Sequence, residues 1–532
     1  MFGEFGFAIQ AVDKREGTNN TYQFHRTELI IDGQPEFELN YTKIPFSQGK
    51  FAKTVIQYDL KRKNLGEFQK LYRLAEHRKI SIHALDNSGI LGLAPGFHSV
   101  EINIFDAYGN KTVVRGMVAG TFPMTLEAKE IFRDKKVVTL ALAPRRGGLP
   151  IRDAVVYNFT PYGFPDQKVD ILHAEQVKKD LHITIPLSAI QDRILQIIGI
   201  NQLGGMVNPY HWTTINLEIS VVDVHPNLKV SNTERGLFFQ VDLDHYVPAR
   251  ATIRLANDNT FMSYSLAQIQ PNTFLTERLS HQVVNNMKYV DVELTHEGLS
   301  RETRFHHLFQ AVGPGNEYHI ISNDRNCSIE TKLGTFYQTY VIWIDNVKEF
   351  APVKDGFHLS PVYQIQPFDL AIKNQFRVGI RYDRDLVEHS NLGIYYYDRK
   401  DEEWVYTPTE NNRRKQILTA EMEQMDAVTI IQDLDSPQIK NTFPGNSGRY
   451  HIQDVNRIEI EVDDSISGIE SEEASFDLLL NDNPVYPAYQ PLKKTVSYNF
   501  DHPLKEGPHK IDFKVRDRMG NESTGTIYFS VY

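Results

Sequence analysis

The nineteen histidines of this 532-residue chain are the first residues to test for metal chemistry. A zinc site built on histidine needs paired ligands at fixed spacing, and neither His-x-His nor His-Glu-x-x-His occurs in the sequence. The single cysteine, Cys327, excludes a thiolate zinc cluster and an internal disulfide. The adjacent His306 and His307 would point to opposite faces of a strand, so we interpret them as strand-edge residues rather than ligands.

Motifs for nucleophiles and nucleotides are also missing. No Gly-x-Ser-x-Gly occurs, and Ser447 in "PGNSGRY" lacks the strand, turn and helix that would expose a nucleophile. Neither glycine-rich phosphate-binding motif is present. The net charge of −11, with no basic run longer than "KRK" or "NRRK", argues against a nucleic-acid partner. We therefore predict no catalytic, cofactor-binding or metal-ligating residue and no cofactor, and we expect that the chain is not an enzyme.

Acidic residues at strand ends leave one alternative open. Hard oxygen ligands at domain joints can hold calcium, whereas aspartates also cap turns without any ion. Because no Asp-x-Asp-x-Asp-Gly loop occurs, turn capping is the favoured interpretation. The aspartates that close predicted strands are Asp13, Asp106, Asp463, Asp464 and Asp517.

Aromatic residues raise the question of sugar binding. "YYYD" at 395–398 and Trp404 lie in predicted strands, where exposed rings could stack on glycans. Strand alternation would bury either Tyr396 or the pair Tyr395 and Tyr397, so core packing explains at least half of these rings.

One phrase occurs near both ends of the chain. "GFHSVEINIFDAYGNKT" begins at Gly96, and "GPHKIDFKVRDRMGNES" begins 411 residues later at Gly507. In each copy apolar residues alternate with polar ones before an Asp-x-x-Gly-Asn turn, which is typical of a half-buried strand closed by a tight turn. We predict that both ends form the same antiparallel sandwich and that the two turns share one conformation. His98 and His509 are interpreted as turn or edge residues.

Strand patterns recur along the whole chain, and helix patterns are few. The fold class predicted is all-β: a tandem array of immunoglobulin-like antiparallel β-sandwiches, with a small helical insertion in the first. Helical spacing favours helices over 64–79, within that insertion, and over 187–199. The predicted domains are 1–120, 121–225, 226–317, 318–434 and 435–532, the last repeating the first.

The first residues, "MFGEFGFAIQAVDKREG", show no secretory leader, and no run of eighteen apolar residues occurs. We therefore predict a protein that does not span a membrane. Because a strand pattern starts at Phe5, we also expect the chain to be part of a longer protein.

The sequence resembles the long C-terminal region that follows the catalytic domain in large bacterial envelope metallopeptidases of the lysostaphin (LytM) type, which are zinc-dependent peptidoglycan endopeptidases. The resemblance covers residues 1–532 and is carried by the order of several stretches. These are "GEFGFAIQAVDKREGTNN", "ELIIDGQPEF", "GFHSVEINIFDAYGNKT", "LSPVYQIQP", "LGIYYYDRKDEEWVY", "VDDSISGI" and "GPHKIDFKVRDRMGNES".

The resemblance implies a role without catalysis. Such peptidases bind zinc through a His-x-x-x-Asp pair and a His-x-His pair, and neither pair occurs here, so no zinc ligand carries over. The expected function is that of an accessory, scaffold or binding region of a cell-envelope peptidase-family protein, positioning a peptidoglycan hydrolase or binding an envelope partner. The expected partners are a cell-envelope protein or peptidoglycan glycan, with an attached hydrolase domain, in the periplasm or at the bacterial cell surface. A freestanding adhesin or glycan-binding scaffold is the alternative, and an unrecognised hydrolase with its site in a cleft between domains is a third.

Overall fold

The computed structural model describes residues 3–14, 17, 21–74, 80–145, 148–214, 219–354, 357–383, 391–470 and 475–532. Strands make up 53% of the chain and helices 5%, arranged in many small antiparallel sheets, which confirms the all-β multi-sandwich fold. The chain divides into two compact units. The first unit comprises Met1–Asn316, Leu333–Trp343 and Asp369–Asn374; the second comprises Glu317–Lys332, Ile344–Phe368 and Gln375–Tyr532.

The first unit begins with a four-stranded antiparallel sheet, here called the N-terminal sheet. Its strands, in spatial order, are Gln34–Asn40, Arg26–Ile31, Gly96–Phe105 and Lys111–Gly120. Two short pairs accompany this sheet, Ala8–Ile9 with Gln69–Lys70 and Asp13–Lys14 with Thr21–Tyr22. The insertion between the second and third strands in the chain carries a 3₁₀ helix, Phe46–Thr54, and an α-helix, Tyr58–Arg62.

The helix predicted over 64–79 is wrong for the residues that the structure describes. The α-helix ends at Arg62, because Asn64 and Gly66 follow with positive φ values of 56° and 115°. The chain then extends, and Gln69–Lys70 pairs with Ala8–Ile9. Residues 75–79 lie outside the described residues.

The next region contains two four-stranded antiparallel sheets that enclose one apolar core. One sheet has the order His173–Val177, Asp180–Pro186, Val137–Pro144 and Leu126–Arg133. The other has the order Pro165–Val169, Ile151–Phe159, Ile194–Asn201 and Tyr210–Thr213.

The helix predicted over 187–199 is also wrong. Leu187–Ala189 forms a single 3₁₀ turn, Asp192 has a positive φ of 54°, and Ile194–Asn201 is a strand between two partners. An apolar run of this length is compatible with a buried strand as well as with a helix. The strand is favoured here because the segment lies inside the sheet and forms backbone hydrogen bonds with a neighbouring strand on each side.

A further pair of four-stranded sheets follows in the first unit, with one core between them. The first has the order Pro226–Thr233, Gly236–Leu243, Thr273–Leu275 and Ala267–Gln270. The second has the order Phe261–Ser265, Arg250–Ala256, Tyr289–His296 and Leu299–His306. A short helix, His281–Val284, and the pairing of Gln310–Val312 with the start of Tyr340–Val347 complete this region.

The second unit opens with strands that form two sheets. A five-stranded sheet has the order Tyr318–Ile321, Cys327–Thr331, Phe376–Arg381, Ile417–Met422 and Thr409–Asn412. The strands Val362–Gln366, Ala427–Gln432, Leu392–Asp398 and Glu403–Thr407 lie side by side in the other sheet. Tyr395, Trp404 and Ile431 are buried in its core.

The chain ends in two sheets around a second core of the same unit. One has the order Gln438–Phe443, Arg457–Asp463, Thr495–Asn499 and Ala488–Gln490, with a 3₁₀ turn at Pro491–Lys493. The other, here called the C-terminal sheet, has the order Gly448–Tyr450, Glu522–Val531, Gly507–Arg516, Phe476–Leu480 and Asn483–Val485.

The four strands of the N-terminal sheet have equivalents in the same order in the five-stranded C-terminal sheet. Ile31 pairs with Val100 and with Gln34, and the equivalent Leu480 pairs with Ile511 and with Asn483. The last hairpin pairs Gly96 with Gly120 in one sheet and Gly507 with Val531 in the other. At the edge strand a bulge pairs Leu29 with Phe37, whereas the equivalent Leu478 pairs with Val485. The four shared strands nevertheless have the same order, and the repeated strand has the same register with both of its neighbours. Because a shift of one residue would turn every apolar side chain to the other face, this agreement keeps both apolar faces aligned.

Core residues of the repeated strand also agree in orientation. Val100 and Ile102 are buried and Ile104 is half-buried against the same core. Their equivalents in the C-terminal sheet, Ile511, Phe513 and Val515, are all buried. In the described residues, no helix is long and apolar enough to cross a membrane.

Candidate metal centre

Three strand ends in the second unit bring three carboxylates together. Asp433 follows the strand Ala427–Gln432, Asp464 follows Arg457–Asp463, and Asp517 follows Gly507–Arg516. One oxygen from each carboxylate lies within 4.8 Å of the others. Asp433 and Asp517 are buried and Asp464 is half-buried. We call these residues the three-aspartate cluster.

Backbone amides hold Asp433 and Asp464 in place. Asp433 Oδ1 accepts a hydrogen bond from the amide of Asp435, and its Oδ2 accepts one from the amide of Ser467, each at 3.1 Å. Asp464 Oδ2 accepts from the amide of Gly468. The loop that follows Asp464 therefore folds back over both carboxylates. The positive φ of Gly468, 75°, is the left-handed geometry that glycine adopts without strain.

Asp517 is fixed by the repeated turn. Its Oδ1 accepts hydrogen bonds of 2.8 Å from the amides of Met519 and Asn521, and its Oδ2 accepts one of 2.7 Å from Asn521 Nδ2. Asn521 Nδ2 also donates to the carbonyl of Asp433 at 3.0 Å. The asparagine that closes the turn thus ties Asp517 to the end of the neighbouring strand.

Electrostatics oppose full ionisation of the cluster. Burial, together with the negative charges of Asp433 and Asp517, raises the pKa of Asp464 to about 6. Burial also raises the pKa of Asp433 and that of Asp517 above the usual range, and Asp433 adds to the shift of Asp517. Within the described part of the chain, no lysine, arginine or histidine forms an ion pair with any of these three carboxylates. Among the residues that the structure describes, hydrogen bonds are what offsets this negative charge.

A buried phenol lies beside the cluster. The Tyr395 side chain is fully buried, and among the described residues its Oη has no hydrogen-bond partner. Burial and the charges of Asp433, Asp464 and Asp517 raise the pKa of Tyr395. Ile431 and Ile466 pack in the same core as its ring, so the phenol lies below the loop that carries Asp464. A fully buried hydroxyl without a partner normally costs free energy, on the order of 1–3 kcal/mol.

The structure gathers some of the predicted acidic residues and separates others. Asp464 and Asp517 belong to the cluster, while Asp463 pairs with Lys494. Asp13 lies in the short strand Asp13–Lys14. Asp106 caps its own turn through the amides of Tyr108 and Asn110, each at 2.8 Å. Turn capping is thus seen at Asp106 and at Asp517.

The repeated histidines occupy equivalent positions with different partners. His98 Nδ1 donates to Asp32 at 2.7 Å, and its Nε2 donates to the carbonyl of Ala94 at 2.9 Å. His509 Nε2 donates to the carbonyl of Lys505 at 2.7 Å, and its Nδ1 accepts from Asn481 Nδ2 at 2.9 Å. In both copies the ring fastens the loop before the strand, as expected for a structural histidine.

The remaining candidate residues are dispersed. His306 is exposed, and His307 is half-buried and stacks on Phe309 with ring centroids 5.2 Å apart. Ser447 lies in a loop with a positive φ of 62°. Trp404 is buried against Phe350 and His358.

Sequence reasoning missed Asp433 and the environment of Tyr395. Asp433 closes an apolar strand, 31 residues before Asp464 and 84 before Asp517 (464 − 433 and 517 − 433), so no local spacing marks the group. The only signal available was that each of these aspartates follows a strand. Strand alternation makes Tyr395 one of the candidates for the core, but the position of its hydroxyl depends on the tertiary structure.

Comparison of the chain with protein-family models and with curated proteins finds no match.

Proposed function

We propose that this chain is a non-catalytic β-sandwich scaffold of a bacterial cell-envelope protein, related to the C-terminal region of lysostaphin-type peptidases, which positions a peptidoglycan hydrolase domain in the periplasm or at the cell surface. The observation that carries the proposal is that a sheet with the same order of four strands occurs at both ends of the chain, and that the repeated strand has the same register with both of its neighbours. A series of small sandwiches can hold another domain at a distance from its attachment point. The surface residues of a sandwich can change, and with them its binding properties, without a change of fold.

The aromatic residues considered for sugar binding favour the scaffold over a glycan platform. Tyr395 and Trp404 are buried, and Tyr397 packs with Phe350 and Trp404 in the same core. Stacking on a sugar needs an exposed ring face. These rings therefore support a packing role.

A degradation assay tests the part of the proposal that concerns catalysis. The purified chain is incubated with peptidoglycan sacculi, with and without added zinc, and released muropeptides are separated by chromatography. We expect no release, while a lysostaphin-type endopeptidase in the same assay serves as the positive control. Zinc-dependent release that a chelator abolishes would overturn the proposal.

A fusion tests the positioning role. A lysostaphin-type catalytic domain is joined ahead of residue 1, and its hydrolysis of sacculi is compared with that of the catalytic domain alone. We expect the fused chain to change the rate or the sites of cleavage on intact sacculi but not on short soluble stem peptides. Identical cleavage on both substrates would contradict a positioning role.

A further inference from the structure

We propose that Asp433, Asp464 and Asp517 bind one calcium ion, which fastens the end of the strand Ala427–Gln432 to the last sandwich of the chain. Asp433 closes a strand of one sandwich, whereas Asp464 and Asp517 close strands in the two sheets of the next. All three residues belong to the second compact unit. The proposal goes beyond the scaffold role and does not depend on it.

The spacing of the oxygens suits calcium. Calcium binds oxygen at about 2.3–2.6 Å, so two oxygens on one ion lie at most about 5 Å apart, whereas for magnesium, at about 2.0–2.1 Å, the limit is about 4.2 Å. The three carboxylate oxygens lie within 4.8 Å of one another. Oxygens this close can share one ion, and a set of three protein carboxylates favours calcium, because magnesium is usually held by only one or two carboxylates and keeps several waters.

The charge of the cluster calls for a cation. Like charges repel each other strongly when they are buried, and these three carboxylate oxygens lie within 4.8 Å of one another. The carboxylates are held by backbone amides, so their positions are fixed before any ion binds. A divalent ion would offset most of the charge at little cost in reorganisation.

Tyr395 is an independent observation that points to a ligand. Its hydroxyl is fully buried in the core that also contains Ile431 and Ile466, and it is close enough to all three carboxylates for their charges to act on it. It nevertheless donates to none of them and to no other group in the described residues. A hydrated ion at the cluster would supply the missing partner, because a calcium ion keeps water molecules among its six to eight ligands. One of these waters can accept the phenolic proton.

Calcium binding is measured on the whole chain by calorimetric titration with calcium chloride and, in parallel, by the luminescence of terbium sensitised by nearby aromatic rings. The variant designed to weaken calcium binding is Asp464→Asn, which removes one charged ligand and leaves the repeated turn at Asp517 intact. The matched control is Asp106→Asn in the N-terminal sheet, where the equivalent of Asp517 makes the same turn bonds. A third variant, Tyr395→Phe, removes only the buried hydroxyl.

The wild-type chain is expected to bind one calcium ion with a Kd of about 10⁻⁴–10⁻³ M, the range of extracellular calcium modules. At calcium about 100-fold above Kd, the unfolding transition of the second unit should rise by about 5–10 °C. Asp464→Asn should weaken binding at least about tenfold, Tyr395→Phe should weaken it by a smaller factor, and Asp106→Asn should leave it unchanged.

Three results would overturn the proposal. These are no binding of calcium or terbium by the wild-type chain, unchanged binding by Asp464→Asn, or tighter binding of magnesium than of calcium. Should Asp464→Asn fail to fold, the calorimetric titrations of Tyr395→Phe and of the wild-type chain still decide the question. The muropeptide assay is unaffected by these outcomes, so failure here and failure of the scaffold proposal can be told apart.

Discussion

The turn at Asp106 and the turn at Asp517 have the same sequence pattern, the same hydrogen bonds and different surroundings. In both, the aspartate amide donates to the asparagine carbonyl at 3.1 Å, and the glycine has a φ of 86° or 88°. Around Asp106 the residues Tyr108 and Asn110 are exposed, whereas Asp517 is buried against Asp433 and Asp464. The local sequence therefore determines the conformation of the turn. The residues packed against it determine whether its aspartate can take part in binding an ion, as Asp517 could beside Asp433 and Asp464.

The outer hairpin differs between the two copies as well. Gly448–Tyr450 pairs in parallel with the end of Glu522–Val531 in the C-terminal sheet. Phe529 is buried there, while its equivalent in the N-terminal sheet, Val118, is only half-buried. The residues Lys111–Met117 are all exposed. The outer strand is thus packed into the core at the C-terminal end of the chain and is largely exposed at the N-terminal end.

Truncation of the outer strand gives the largest expected difference between the copies. Phe529→Ala should lower the unfolding free energy of the last sandwich by about 3–5 kcal/mol, because it empties a buried site. Val118→Ala should cost only about 1 kcal/mol, because less apolar area is lost from a half-buried site. Native-state hydrogen exchange on the full chain measures each locally. Equal costs would contradict the difference in packing.

Removal of the turn aspartate should affect hydrogen exchange differently in the two copies, because only Asp517 lies beside other carboxylates. Asp106→Ala should accelerate hydrogen exchange of Gly109 and Asn110, because it removes the side-chain hydrogen bonds of the turn and gives nothing in return. In the presence of a chelator, Asp517→Ala should accelerate exchange of the equivalent amides less, since it also relieves repulsion from Asp433 and Asp464.

With calcium present, Asp517→Ala should accelerate hydrogen exchange of its turn more than Asp106→Ala does, because Asp517→Ala then also removes a ligand of the ion. Exchange at the Asp106 turn serves as the internal control, since it should not respond to calcium. An equal effect of the two substitutions in chelator and in calcium would show that the three-aspartate cluster has no influence on its turn.

The histidine pair predicts the smallest effect. The hydrogen bond to Asp32 raises the pKa of His98 above its ordinary value of 6.5, and the hydrogen bond from His98 lowers the pKa of Asp32 below 3.8. Asp32→Asn, which copies Asn481 of the other sheet, should lower the pKa of His98 in an NMR titration. Ser99→Ala, which keeps the ion pair, is the control, and an unchanged His98 titration in Asp32→Asn would contradict the account.

The same pair sets a pH window for stability. The stabilisation linked to the raised pKa of His98 is complete below pH 6.5 and is lost as the pH rises through the pKa of the folded state. The stabilisation linked to the lowered pKa of Asp32 is complete above pH 3.8 and is lost as the pH falls through the pKa of the folded state. The pair therefore stabilises the N-terminal sheet most between these limits. Because Asp32 is exposed and His98 is only half-buried, solvent screening keeps the effect small.

Much of the frame was predictable, because strand alternation is a local property. The repeated strand at Gly96 and Gly507 was recognised from its period of two, and its turn from Gly and Asn. The two predicted helices are wrong because apolar spacing alone does not exclude an extended chain. Positive φ values at Asn64 and Gly66 end the first helix, and the apolar run at 187–199 pairs with a distant strand. The cluster depends on three strand ends far apart in sequence, so it could not be predicted from spacing.

A crystal structure of the full chain grown in calcium tests the central claim most directly. The claim is that one module is used at both ends of the chain and that only its second copy holds an ion. We predict one density peak coordinated by Asp433, Asp464 and Asp517 at about 2.3–2.6 Å, with the Asp106 turn unchanged and no peak beside it. A map with no peak among the three carboxylates, or with an equal peak at Asp106, would contradict the account.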